Sequence, residues 1–331
     1  MTYANVARVI GIASLWASMA HAQPPVTVPL VIDTENTVFY VDDVTDLSQV
    51  AVNGFVTPPA AARNFTRSIN IGDIVAINGS PARGSATGQF SNLTMRVAPT
   101  PGQAIADLPS GSIAQWTYTI QTADGHALGS ILIQGLGFAP KPPGAAAAAL
   151  AGDFAVIGGT GVFAGVSGQA AFAPLTPGGR TASAAEDPAL RRTLGGGSYR
   201  LFLNLAVDRR PEILQREGFA ITHLNGSRVT AENPAKSGEQ LAAYAVGLGP
   251  TNSRVQPGQR FPSGSPVAVT SPIQMSLNGI STTVVSAVGS PGTAGTYRID
   301  FTVPAGAGHG QAVLQWSVAW IPGMEATIPV D

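Results

Sequence analysis

The stretch Phe154-Ala155-Val156-Ile157-Gly158-Gly159-Thr160-Gly161-Val162-Phe163-Ala164-Gly165 decides between two folds. An apolar run entering Gly-Gly-Thr-Gly suits a dinucleotide-binding strand–turn–helix, in which helix N-terminal amides hold a pyrophosphate. The residues that follow, among them Val162, Phe163, Val166, Ser167, Gly168 and Gln169, are poor helix formers. The glycine spacing misses G-x-G-x-x-G, and no Lys follows to complete a P-loop. The segment therefore reads as a hairpin. Gly158, Gly159, Thr160 and Gly161 form its turn, with glycine supplying the positive φ that joins two antiparallel strands.

The chain on both sides reads the same way. Its 39 glycines and 26 prolines break the sequence every few residues, and short alternating or β-branched runs lie between them. Strands are expected at Thr37–Val44, Ile71–Asn78, Gln89–Val97, Ser112–Gln121, Ala127–Leu136, Asp153–Ile157, Gly165–Phe172 and Ser198–Val207. Eight such strands can close a small antiparallel barrel, which removes exposed sheet edges. Two longer connections stand out, Pro140–Gly152 and Leu175–Gly197, and Glu186–Arg192 within the second suits one short helical turn.

Beyond Val207–Pro211 the pattern restarts. Runs at Phe219–Leu224, Gln240–Val246, Val267–Leu277, Thr282–Val288, Thr296–Val303, Gln311–Trp320 and Glu325–Val330 are separated by turn residues such as Asn278-Gly279 and Pro291-Gly292. This spacing is expected of an Ig-like β-sandwich over residues 208–331. The predicted fold class is thus all-β: an eight-stranded antiparallel barrel over residues 23–207, followed by the sandwich.

The first 22 residues read as a secretory signal. Arg8 gives a positive start, Val9–Met19 is apolar but too short to span a bilayer, and Ala20-His21-Ala22 is a cleavage site. The mature chain is expected to begin at Gln23 and to reside outside the cytoplasm: secreted, periplasmic or on the cell surface. No later stretch holds the ~20 apolar residues of a membrane-spanning helix.

Composition narrows the chemistry. The 331 residues carry a net charge of −1, so no basic excess favours nucleic acid. Charged residues are only 11% of the chain, against ~25% in an average soluble domain. Cysteine is absent, which removes disulfides, thiol nucleophiles and Cys metal sites. After the signal, His126, His223 and His309 lie far apart, with no carboxylate cluster beside any of them, so no metal site and no cofactor are expected. No G-x-S-x-G nucleophile motif occurs. Trp116, Trp316 and Trp320 read as core residues.

Two family resemblances follow from particular residues. Gly158-Gly159-Thr160-Gly161-Val162-Phe163 followed by Gly168 resembles the turn of the dirigent and allene oxide cyclase barrels. Val38–Val44, Asn70–Val75 and Gly129–Gly135 resemble neighbouring strands of that family, so the likeness spans roughly residues 36–206. It implies an eight-stranded barrel with an apolar lumen and places Asp43 at the barrel mouth. Asp42 stands where the dirigent family has His, and Val166-Ser167 where it has Ala-Arg. The resemblance therefore implies the barrel more firmly than either plant activity. Over residues 209–331, Asn233–Asn252 and Gly295–Pro304 resemble an Ig-like C-terminal domain of exported acidobacterial proteins, an accessory module without known catalytic residues.

The functional expectation is a secreted barrel that binds a small apolar or phenolic ligand. The alternatives are an isomerase- or cyclase-like enzyme acting in the lumen, and a structural surface protein with a filled barrel. Binding candidates are Asp43, whose face Phe39-Val41-Asp43 is expected to look inward, and Arg96, Tyr118, Gln134 and Arg200, which sit within strand runs. Self-association or cell-surface contact is assigned to the C-terminal domain. The lumen discriminates: a polar cavity favours an enzyme, a dry apolar one favours binding, and a filled one favours a structural role.

Overall fold

The computed structural model describes residues 26–41, 64–94, 110–137, 152–175, 177–215, 221–253 and 255–331. Its first part is all-β. Strands β1 (Val26–Val41), β2 (Asn64–Ile77), β3 (Ser80–Thr94), β4 (Ser110–Thr122), β5 (Ala127–Gly137), β6 (Gly152–Gly161), β7 (Val166–Pro174), β8 (Arg180–Ser183) and β9 (Gly197–Val207) share one sheet. Each of β1 to β6 pairs antiparallel with the next, β7 pairs with β9, and β9 returns to β1. These eight strands form a closed barrel without free edges. The four-residue β8 lies outside the ring and runs parallel to the end of β1, taking the place β9 leaves beyond Thr37.

The two ends of the barrel differ. At one end the strands are joined by tight turns, at Asn78-Gly79, Ala123–His126 and Val162–Gly165. Asn78 and Gly79 have φ of 48° and 77°, the positive pair a two-residue hairpin needs. At the other end the connections are long: residues 42–63, 95–109, 138–151 and 175–196.

The Gly-rich segment corrects one expectation. Gly158, Gly159 and Thr160 lie within β6, and the turn itself is Val162–Gly165, entered at Gly161 with φ 63°. Close approach explains the glycines. A Cβ on Gly161 would stand 2.2 Å from the Leu128 carbonyl oxygen, and one on Gly159 would stand 2.4 Å from that of Phe163. Thr160 pairs instead across the strands, where its hydroxyl lies 2.7 Å from that of Ser130. A β-bulge between β5 and β6, at Leu132/Ile133, accommodates the run.

Strand β1 is longer than expected, beginning at Val26 rather than near Thr37. Pro29 sits where β1 pairs with β9 but not yet with β2, the one-sided position a strand proline tolerates. Asn36, with φ 53°, then bulges the strand and shifts its inward set from Val28, Leu30, Ile32 and Thr34 to Thr37 and Phe39.

The second part holds β10 (Glu212–Ile213), β11 (Thr222–His223), β12 (Gln240–Val246), β13 (Ile273–Leu277), β14 (Ile280–Thr282), β15 (Val284–Gly289), β16 (Thr296–Thr302), β17 (Gly310–Val318), β18 (Ile321–Pro322) and β19 (Ala326–Val330). They form two antiparallel five-stranded sheets, ordered β10-β12-β16-β15 with β11 beside β12, and β14-β13-β17-β18 with β19 beside β17. The buried Leu241, Ile299 and Phe301 of one sheet and Leu277, Leu314 and Val318 of the other belong to one apolar cluster. That cluster continues into the barrel. Val162 packs against the backbone of Gly249, and Thr270 donates a hydrogen bond to the Ala127 carbonyl at 2.8 Å.

Candidate functional site

The lumen is the first place to look, because strand alternation sends every second side chain inward. Near the tight-turn end it is closed by Leu30, Ile32, Ile77, Ile120, Leu128, Ile131, Ile133, Phe163 and Leu205, all fully buried. A residue with no accessible surface borders no water-sized void, so this half is solid. Toward the long connections the lumen is filled by rings. Phe39 meets Phe90 at 5.7 Å and Tyr199 at 6.2 Å between centroids. Phe90 meets Trp116 at 4.8 Å, and Trp116 in turn meets Phe154 at 5.0 Å and Phe172 at 4.8 Å. Several of these contacts are edge-on, the arrangement favoured by ring quadrupoles. Gly88 makes room: a Cβ there would lie 2.5 Å from the Trp116 indole nitrogen.

Two polar groups on the lumen side bond to backbone. Thr34 donates to the Tyr199 carbonyl at 3.2 Å, and Asn70 to that of Val38 at 3.5 Å. Burial pushes the hydroxyl pKa of Tyr118 and Tyr199 upward, which favours the neutral phenol at both.

Of the expected binding residues, Tyr118 faces the lumen and is buried. Gln134 and Arg200 do not, and the reason is parity. Ile131 and Ile133 occupy the inward positions of β5, and Tyr199, Leu201 and Leu203 those of β9, which leaves Gln134 and Arg200 on the outer wall. Arg200 is held there by Asp33, at 2.6 and 2.9 Å. Asp43 and Arg96 lie outside the described residues. Of the residues leading to Asp43, Phe39 looks into the lumen, and Val38 and Tyr40 form a separate outer cluster with Ala182. Trp116 is lumen core, and Trp316 is buried with its indole N–H donating to Met324 at 2.8 Å.

Sequence reasoning missed a polar device on the outer wall. After β8 the chain turns through a short 3-10 helix, Pro188–Arg192, capped by Asp187. This flap folds over the outer face of β1 and β2. Asp73 on β2 receives Arg191 at 2.5 Å, Arg192 at 2.8 and 2.9 Å, and Asn36 at 3.0 Å. Burial of Asp73 opposes its charge, but the hydrogen bonds from Arg192, Arg191 and Asn36 outweigh it and hold the carboxyl at about 2. Arg180 grips Glu186 through two hydrogen bonds, and the Tyr40 hydroxyl reaches the Pro188 carbonyl at 3.5 Å. The only sequence signal was the charge pattern of Glu186–Arg192, which does not reveal its partner 118 residues away.

A second pairing was also unforeseen. Glu239, sixteen residues along the chain, reaches His223 at 2.5 Å. The other ring nitrogen faces the Asn233 carbonyl at 3.2 Å, so both partners are acceptors. Burial would raise the Glu239 carboxyl, but bonds from His223 and the Lys236 N–H bring it below its ordinary value. The pair ties β11 to the start of β12. Among the described residues, no group of three or more His, Asp or Glu could hold a metal ion, and no helix is long and apolar enough to cross a membrane.

No family model, curated protein or solved structure matches the chain.

Proposed function

We propose that the chain is an exported, non-catalytic binding module in which the barrel is a rigid scaffold rather than a ligand container. The observation that carries this reading is the aromatic filling of the lumen, from Phe39 through Trp116 to Phe172. A small barrel either packs its interior or encloses one ligand, and these rings occupy the space a ligand would need. The filling weighs against a phenolic or apolar ligand inside the barrel and against lumen catalysis, and favours the structural alternative.

The asymmetry of the connections supports a recognition role. Two of the tight turns meet the C-terminal part, near Ala127 and at Val162, and the long connections leave from the opposite end. Recognition residues concentrate on loops that a rigid scaffold positions. In this reading Asp43 and Arg96 belong to the recognition end, because residues 42–63 and 95–109 are two of those connections. Export rests on Arg8, Val9–Met19 and Ala20-His21-Ala22. The C-terminal sheets serve as an Ig-like accessory module, supported by their two antiparallel layers and shared core.

The test replaces residues 138–151 by an Asn-Gly turn between β5 and β6. The barrel should keep its circular dichroism spectrum and melt within a few degrees of the parent. Binding of the labelled chain to intact cells of the producing organism should fall. Unchanged cell binding after shortening this connection, and after the same operation on 95–109, would refute the recognition role.

A further inference from the structure

The flap does more than cover β1, because it forms one wall of a groove on the outside of the barrel. The floor is the outer face of β2, β3 and β4, where Ile69 and Ile113 are 43% and 56% exposed. Two exposed isoleucines on a sheet face are ordinary when scattered, but here they line one concavity of about 580 Å³. That volume lies within the ~300–1,000 Å³ range of small-molecule sites. Pro188 forms the opposite wall, held by the Asp73 clamp.

The charge lining the groove is positive. Arg67 lines it and has no ion-pair partner among the described residues, in contrast to Arg180, Arg191, Arg192 and Arg200. The acids nearest the flap wall are already engaged: Glu186 is bound by Arg180, and Asp187 caps the 3-10 helix by accepting from the Ala189 N–H. The amides Gln89 and Gln115, side by side in register across β3 and β4, add neutral donors and acceptors. An apolar floor, a free guanidinium and two amides complement a molecule with an apolar body and one anionic head.

We propose that this outer groove binds an amphipathic organic carboxylate, with the apolar part on Ile69 and Ile113 and the carboxylate on Arg67. A guanidinium matches a carboxylate in shape as well as charge, since its planar fork offers two parallel N–H bonds. The site shares only the flap with the long connections and uses neither the lumen nor the connections 95–109 and 138–151 altered in the recognition test, so the two readings fail separately.

The test uses the full mature chain and isothermal titration calorimetry with octanoate and octanamide, which share a body and differ in charge. Octanoate should bind, and octanamide should bind about fivefold more weakly, the preference a partly exposed charge pair confers. Arg67→Gln should lower octanoate to the level of the amide and leave octanamide unchanged, whereas Arg67→Lys should keep most of the preference. Ile113→Glu should weaken both ligands. These side chains point outward from the wall, so circular dichroism of each variant should match the parent. Equal binding of the two ligands, no octanoate binding at millimolar concentration, or full preference retained in Arg67→Gln would overturn the proposal.

Discussion

Trp116→Ala is the most informative single substitution for a filled lumen. The indole is 2% exposed and touches three rings, at centroid distances of 4.8 Å to Phe90, 5.0 Å to Phe154 and 4.8 Å to Phe172. Truncating a core aromatic to Ala costs ~3–5 kcal/mol through lost transfer energy and the cavity left behind. Collapse is hindered here, because the neighbouring rings also pack on one another, Phe154 against Phe172 at 5.0 Å. The loss should fall near the upper end, about 5 kcal/mol. With a urea m-value of about 2.5 kcal/mol/M, the barrel midpoint should drop by about 2 M. Far-UV circular dichroism follows the strands of both parts, while in the variant the fluorescence of Trp316 and Trp320 reports the C-terminal sheets, so a transition seen in the first and not in the second belongs to the barrel. The cavity is apolar and should stay dry, so indole should enter it. Indole at ten times its Kd would restore about 1.4 kcal/mol to the variant and nothing to the parent. A midpoint shift below about 0.4 M, or equal stabilisation of the parent by indole, would show that the lumen is not packed around this ring.

The clamp at Asp73 makes a pH-dependent contribution. Its folded pKa of about 2 lies below the usual 3.8, so the contribution is complete above pH 3.8 and disappears as the pH falls through 2. Asp73→Asn should cost about 1–2 kcal/mol at neutral pH, flatten acid unfolding in that window and speed tryptic cleavage at Arg191 and Arg192. An unchanged cleavage rate would mean that the flap is held by other contacts. Gly161→Val should be more damaging, by several kcal/mol, because the side chain meets the Leu128 carbonyl at a residue with φ 63°; thermal melts measure this. Arg200→Gln should change stability by less than about 1 kcal/mol, since its pair with Asp33 lies on the wet outer wall, and the same melts would expose a larger role.

What could be read from the sequence depended on how local the determining physics was. The all-β class and the hairpin at the Gly-rich segment followed from residues close in the chain, because neither Val162-Phe163 nor Ser167-Gly168 can carry a helix. The position of the turn within that segment was missed by a few residues. Gly159 and Gly161 are required by close backbone approach to Phe163 and Leu128, not by the turn alone. The first half of β1 was hidden by Pro29 and by the bulge at Asn36, which breaks alternation and imitates a loop. Gln134 and Arg200 were legible as strand residues, but their face depends on which neighbours occupy the inward positions. The short helical turn of the flap was legible at Glu186–Arg192, but its docking was not, because Arg191 and Arg192 meet Asp73 across more than 100 residues of chain.

The most direct test of the filled-lumen account is a crystal structure of the protein determined under xenon pressure, since xenon seeks dry apolar cavities. The account predicts a lumen without xenon between Phe39, Trp116 and Phe172, with the rings in van der Waals contact. Xenon or a line of ordered solvent along the barrel axis at that level would contradict it and return the lumen to consideration as a ligand site.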